Sequence, residues 1–179
     1  MWDFFATVRH RHSVRQYQED TPVEAEKLHA ILEMACAAPT AGDLQAYHIF
    51  VVADDALRDS LRAAAGDQAF ISAAPVCLVF CADPGRSAEK FRERGEKLFA
   101  IQDATIAAAY AQLAIVAAGM GSTWVGDFDE RAVAEALGLS GGLLPIALLS
   151  VGYPAELPEI SPRRRLDEVV TYLPEPRQT

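Results

Sequence analysis

Three cysteines in 179 residues are too few, and of the wrong parity, to frame a disulfide-held fold. Cys36, Cys77 and Cys81 are read as reduced thiols, which points to a cytoplasmic setting. No apolar run reaches 18 residues without a breaker, so no membrane span is expected. The Met-Trp-Asp-Phe-Phe start has no basic segment leading into an apolar one and is not read as a secretion signal. Positive charge is scarce: 16 Lys and Arg stand against 25 Asp and Glu, a formal charge of -9. That balance argues against a nucleic-acid partner, whose phosphates need a broad basic face. Catalytic signatures are scarce too. No Gly-x-Ser-x-Gly elbow is present for a hydrolase. Gly119-Met120-Gly121 follows a helical pattern and leads into extended chain, the reverse of a dinucleotide loop, and Leu139-Ser140-Gly141-Gly142 reads as a turn. His10, His12, His29 and His48 have no carboxylate at ligand spacing, and the Cys77/Cys81 pair reads as core packing, so no metal site is expected.

The basic residues that do occur are concentrated. Arg9, His10, Arg11, His12 and Arg15 fall within seven residues that hold no acid, and Arg163-Arg164-Arg165 forms a second knot near the other end. Two such knots on an acidic chain repel themselves unless an anion joins them. The guanidinium fork suits phosphate oxygens, and Ser13 adds a hydroxyl donor. The reading is a small phosphorylated ligand held between the two ends of the chain; for the first run alone, a solvated basic patch is the alternative. With no acid–base or nucleophile pair in view, a bound cofactor is left as the reactive element, and the protein supplies orientation and electrostatics.

At 51% hydrophobic residues there is ample material for a core, and the length suits one domain over 1–179 with an extended arm over 160–179. A short helix over 2–9 would place Trp2, Phe5 and Val8 on one side. Thr21-Pro22-Val23-Glu24 reads as a capped helix start. Leu28, Ile31, Leu32, Ala35 and Cys36 then make an amphipathic stripe with Cys36 on the buried face, ended by Pro39. Tyr47–Ala53, Val76–Cys81 and Ile146–Tyr153 read as buried strands, and Ser122–Gly126 as a short strand or loop. Asp54 and Asp129 each cap a helix. Residues 87–98 are charged and helical, interrupted by Gly95, and suit an exposed segment or lid. Ile101–Ala118 is apolar almost all round, as a helix buried in a core or an interface is. Val169–Leu173 is a candidate edge strand, within this chain or added to another subunit. The alternation gives a single sheet flanked by helices, α/β or α+β.

Taken in order, these motifs resemble the FMN-dependent nitroreductase family. Arg11-His12-Ser13-Val14-Arg15 is similar to its R-x-S-x-R/K motif, and Ala38-Pro39-Thr40-Ala41-Gly42-Asp43-Leu44-Gln45 to its A-P-S-x-x-N-x-Q loop. Gly119–Gly126 resembles its G-L-G-x-x-W-I-G segment, Val151-Gly152-Tyr153-Pro154 its strand-ending G-Y-P, and RRRLDEVV its basic tail. The resemblance implies an α+β sandwich with a mainly antiparallel central sheet, an intertwined homodimer and FMN at the interface. It implies hydride uptake from NAD(P)H and electron delivery to nitroaromatic, quinone or similar flat acceptors. A flavin-holding or sensory protein without turnover is the alternative. By position, Arg11, His12 and Ser13 would meet the FMN phosphate or ribityl oxygens, with Arg163 and Arg164, and Arg165 stays open because the tail alignment is loose by one residue. Arg15 would lie near the pyrimidine edge. Pro39, Thr40, Asp43 and Gln45 would contact the flavin from the opposite subunit, and Trp124, Val125 and Gly126 would border its N5. Two departures stand out: Asp43 replaces the usual Asn, and Ala46 replaces a frequent Pro, which is expected to loosen the loop.

Overall fold

The structure, a computed structural model, describes residues 3–159 and 161–173. Its centre is a four-stranded antiparallel sheet in the order β1-β2-β4-β3, built from β1 (Tyr47–Val52), β2 (Val76–Ala82), β3 (Gly121–Val125) and β4 (Leu144–Gly152). Helices cover both faces, which makes the fold α+β. β2 is buried along its whole length because both of its faces are covered, so its sequence is continuously apolar rather than alternating. Cys77, Val79 and Cys81 join Leu61, Ile71, Val133 and Leu148 on one face. Leu78 and Phe80 join Ile31, Ile115, Leu149 and Val151 on the other. Burial pushes the Cys77 and Cys81 thiols up to about 12, as packing groups rather than nucleophiles.

Local chemistry sets most helix ends. Asp54 caps α3 (Asp55–Ala64) by accepting from the Leu57 N–H at 2.9 Å, and Asp129 caps α7 (Glu130–Leu137) through the N–H groups of Arg131 and Ala132. The short α4 (Phe70–Ala73) leads into β2. α6 (Ala100–Ala117) buries one stripe, running through Ala104, Ala107, Ala108, Ala111, Ile115 and Val116, against α2 (Ala25–Cys36) and the sheet. Its apolar character continues onto a side that this chain leaves open, where Ala109, Tyr110 and Ala117 are exposed.

Several expectations are corrected. The helix expected from Thr21 begins at Ala25 with Glu24 in the cap position, because the Glu24 carboxylate is tied instead to Lys27 at 3.0 Å and to the Tyr153 hydroxyl at 2.6 Å. Cys36 is exposed, not buried: Ile31 and Ala35 centre the stripe, and Cys36 lies one step around from it in the last turn. β1 is half-exposed because it is a sheet edge. α1 (Phe4–His10) forms, but Phe5 is 68% exposed and Val8 is 45% exposed, and Trp2 lies outside the described residues. α5 (Pro84–Arg94) is broken at Arg92, whose φ is +53°, and not at Gly95. Gly95 opens a π-helical turn to Phe99, where a Cβ would collide with the Ser87 carbonyl oxygen. Among the described residues Val169–Leu173 forms no strand within this chain; a single 3-10 turn, Leu166–Glu168, precedes it.

Candidate functional site

The basic run is fastened to the open side of β3 by its one apolar member. Val14 is 3% exposed, donates its N–H to the Ser122 carbonyl at 3.1 Å, and accepts at its own carbonyl from the Thr123 hydroxyl. A parallel bridge joins Ser13 to Ser122. The Tyr17 hydroxyl adds a second anchor, 2.9 Å from the Val14 carbonyl and 2.7 Å from Ser150 Oγ. Burial pushes this phenol up to about 12, against the opposing pull of its Ser150 contact, so it stays a neutral donor.

Two glycines make that seat. A Cβ on Gly121 would meet Val14 Cγ2 at 2.5 Å, and one on Gly152 would meet Pro75 Cδ at 2.7 Å and the Tyr17 ring at 2.8 Å. Gly121 therefore serves close approach of Val14 to the sheet and Gly152 that of Tyr17 and Pro75, whereas Gly119 has open space around it and φ +81°.

Held this way, every residue from Arg11 to Arg15 but Val14 borders a cleft of ≈ 610 Å³, within the span of about 300–1,000 Å³ usual for small-molecule sites. It is lined by Val8, Arg9, Arg11, His12, Ser13 and Arg15 from one end of the chain. Pro158, Glu159, Ser161 and Arg163 line it from the other. The two knots do meet. Among the described residues Arg9, Arg11, Arg15 and Arg163 form no ion pair, although Arg15 lies 5.7 Å over the Phe70 ring. Four guanidinium groups and the hydroxyls of Ser13 and Ser161, against the single carboxylate of Glu159, leave the cleft net positive; this is the donor set that a phosphate monoester with a polyol chain requires, and FMN fits it. Arg164 and Arg165 do not line the cleft: Arg164 donates to the Glu168 carbonyl at 2.7 Å, and Arg165 pairs with Asp167 at 2.8 Å.

Pro39, Thr40, Asp43 and Gln45 lie elsewhere, in the loop between α2 and β1, and none of them lines the cleft. The Gln45 N–H donates to Thr40 Oγ1 at 3.1 Å, and Gln45 Nε2 donates to the Cys36 carbonyl at 3.1 Å. Pro39, Asp43 and Gln45 are exposed. Asp43 has φ +58°, a left-handed conformation in which Asn and Asp are the most tolerated side-chain-bearing residues. The departure from Asn thus keeps the backbone requirement and loses only the amide donor. Ala46 is not a loosening either: it is fully buried, and its N–H reaches the Asp103 carboxylate at 3.3 Å, a bond proline cannot make. On β3, Trp124 packs toward α6, Val125 is buried on the opposite face, and Gly126 is exposed.

No motif marks Tyr17, Thr123, Ser150 or Asp103. Asp103 leaves one trace in the sequence, a carboxylate in an otherwise apolar helix; Thr123 and Ser150 sit within strand patterns and Tyr17 in a connector.

The profile of the nitroreductase family matches residues 8–75 and 62–153. A Thermus thermophilus protein named NADH dehydrogenase is 36% identical over 189 residues, covering 90% of this chain and 92% of its own length. A Bacillus subtilis protein named FMN reductase (NADPH) is 30% identical, over 88% of this chain and 68% of its own. Among solved structures, the NADPH:FMN oxidoreductase of Vibrio harveyi, complexed with NAD+, superposes with a TM-score of 0.86 at 27% identity. That superposition covers 98% of this chain and 78% of the other.

Proposed function

The chain belongs to the nitroreductase family, and we propose that it is an FMN-dependent oxidoreductase taking hydride from NAD(P)H and passing electrons to nitroaromatics, quinones or similar flat acceptors. The observation that carries this is the cleft between the chain ends, where Arg11, Arg15 and Arg163 stand unpaired beside the Ser13 hydroxyl. FMN, when bound, supplies the hydride-accepting and electron-donating chemistry. The residues of this chain bind and orient. Arg11 and Arg163 neutralise the phosphate, Ser13 and His12 add polar contacts, and Arg15 presents a fixed cation toward the flavin. A fixed cation of this kind favours negative charge developing next to it without solvent rearrangement. The exposed Gly126, just past the end of β3 and next to buried Val125, is the stretch assigned to the reacting edge.

A homodimer belongs to the same reading. The cleft and the Pro39–Gln45 loop are separate on one chain, and the exposed Phe4, Phe5, Val169 and Tyr172 leave apolar surface for a second copy to cover. In that arrangement one copy's loop completes the other copy's cleft. A cytoplasmic location fits three free thiols.

The test is the visible spectrum of the purified protein, before and after adding FMN and then NADH or NADPH. A bound-flavin band that bleaches with reduced nicotinamide, and returns when a nitroaromatic or quinone is added, is expected. A bound flavin that stays oxidised would make the protein a holder. Failure to bind FMN at all would sink the assignment.

A further inference from the structure

The loop before β1 is strained and gripped from two sides, and its grip is assigned no role by the reading above. Gly42, Asp43 and Gln45 have φ of +60°, +58° and +47°, so three residues of four are left-handed, two of them with side chains. Each such non-glycine residue costs of order 1–3 kcal/mol and persists where its surroundings over-determine it, most often at ligand sites. The surroundings here are specific.

From inside, the Asp103 carboxylate, on a residue 2% exposed in the first turn of α6, accepts from the Ala41 N–H at 2.9 Å and the Ala46 N–H at 3.3 Å. From outside, α5 holds the carbonyls: Arg86 Nε donates to Leu44 and Lys90 Nζ to Gly42 at 3.3 Å. One anion thus takes the N–H groups at the two ends of the strained turn, and two cations take its carbonyl groups. Gly42 suits the place twice over: its φ of +60° disfavours a side chain, and a Cβ would push against Lys90 Nζ at 2.6 Å and the Phe91 ring at 2.9 Å.

We propose that Asp103 is the positioning residue of the Pro39–Gln45 loop, holding it in the strained form that contacts flavin and flat acceptor, with Arg86 and Lys90 of α5 as its outer clamp. This rests on the FMN reading. Asp103 touches neither ligand and acts through the loop backbone. Charged hydrogen bonds of this type each contribute about 1.5–3 kcal/mol, so their loss reads as at least a tenfold change in binding.

The experiment compares wild type with Asp103→Asn, whose amide presents a donor where one N–H needs an acceptor. Three quantities are read: FMN affinity by fluorescence quenching, the visible band of bound FMN, and the KM and kcat for a nitroaromatic acceptor. Expected are a tenfold or greater loss of FMN affinity, a shifted flavin band, and a raised acceptor KM with kcat changed less. A folded Asp103→Asn that matches wild type in affinity, band and KM overturns the proposal. Should wild type itself ignore FMN, the functional reading fails by itself. Amide exchange then decides the loop claim: lost protection at Ala41 and Ala46 in Asp103→Asn supports it, and unchanged protection refutes it. If Asp103→Asn does not fold, the Arg86→Met, Lys90→Met pair tests the clamp from the solvent side. There a raised acceptor KM at unchanged melting temperature supports the proposal, and an unchanged KM overturns it.

Discussion

Gly121→Ala isolates what seats the basic run on the sheet. The new methyl would lie 2.5 Å from Val14 Cγ2, 2.8 Å from Val14 Cβ and 3.2 Å from Val14 Cγ1, so the three nearest atoms all belong to one buried side chain. Val14 is 3% exposed and cannot swing into solvent, so the strand edge must part. Overpacking of this kind costs about 1–3 kcal/mol, and for a domain of this size each kcal/mol lowers Tm by about 2–4 °C. Parting the edge also lengthens the bond from Val14 N–H to the Ser122 carbonyl and the bond from the Thr123 hydroxyl to the Val14 carbonyl. Ser13 and Arg15, on either side of Val14, move with it. FMN affinity should therefore fall together with Tm.

The decisive comparison is the double variant. Val14→Ala alone removes two buried methyl equivalents and costs about 2 kcal/mol. In Gly121→Ala with Val14→Ala the approaches to Val14 Cγ2 and Cγ1 disappear and only the 2.8 Å approach to the residue-14 Cβ remains, so the two changes are partly complementary. The double variant should then cost less than the additive ~4 kcal/mol, by more than the ~0.5 kcal/mol scatter of independent sites. Thermal and urea unfolding of the four proteins, with FMN titrations on each, measure the coupling. Strict additivity would refute the claim that Gly121 is there to admit Val14.

Arg11→Ala and Arg163→Ala should each weaken FMN by about 10–100-fold, the worth of one charged hydrogen bond, while riboflavin binding stays level; equal losses for both flavins would move these residues off the phosphate. Asp43→Asn keeps a residue tolerated at φ +58° and removes one negative charge, so Tm should hold and the flavin midpoint potential should rise; a potential that falls or stays put would show that Asp43 does not act on the flavin. Alkali should destabilise the fold. Cys77 and Cys81 ionise near 9.0 when free and near 12 when folded, and Tyr17 near 10.0 and about 12. The unfolded chain thus loses protons first, and stability present below pH 9 drains as pH rises toward 12. Urea midpoints from pH 8 to 11 check this; Cys77→Ala with Cys81→Ala should delay the onset from about 9 to about 10, and an unchanged onset would refute the assignment.

What the sequence by itself determined is what acts within a few residues or as a continuous pattern. Asp54 and Asp129 cap their helices through N–H groups two or three residues on, so those starts were legible. β2 was legible because a strand buried on both faces is apolar throughout, and α6 because its long apolar run has no breaker. Charge alone pointed to a meeting of the two arginine knots, and Arg163 of the second does line a cleft with the first, while Arg164 and Arg165 do not. The tertiary structure decided what depends on distant partners. Tyr17 reaches Ser150 across 133 positions, and Asp103 reaches Ala41 across 62. No local preference marks either pairing, since a buried polar group is defined by what the folded chain brings to it. The same reason explains the misplaced start of α2, where Glu24 is claimed by Tyr153, and the division of Arg163 from Arg164, which hangs on Glu168. The motif glycines, too, took their meaning only from the side chains folded against them, Val14 on Gly121 and Tyr17 on Gly152.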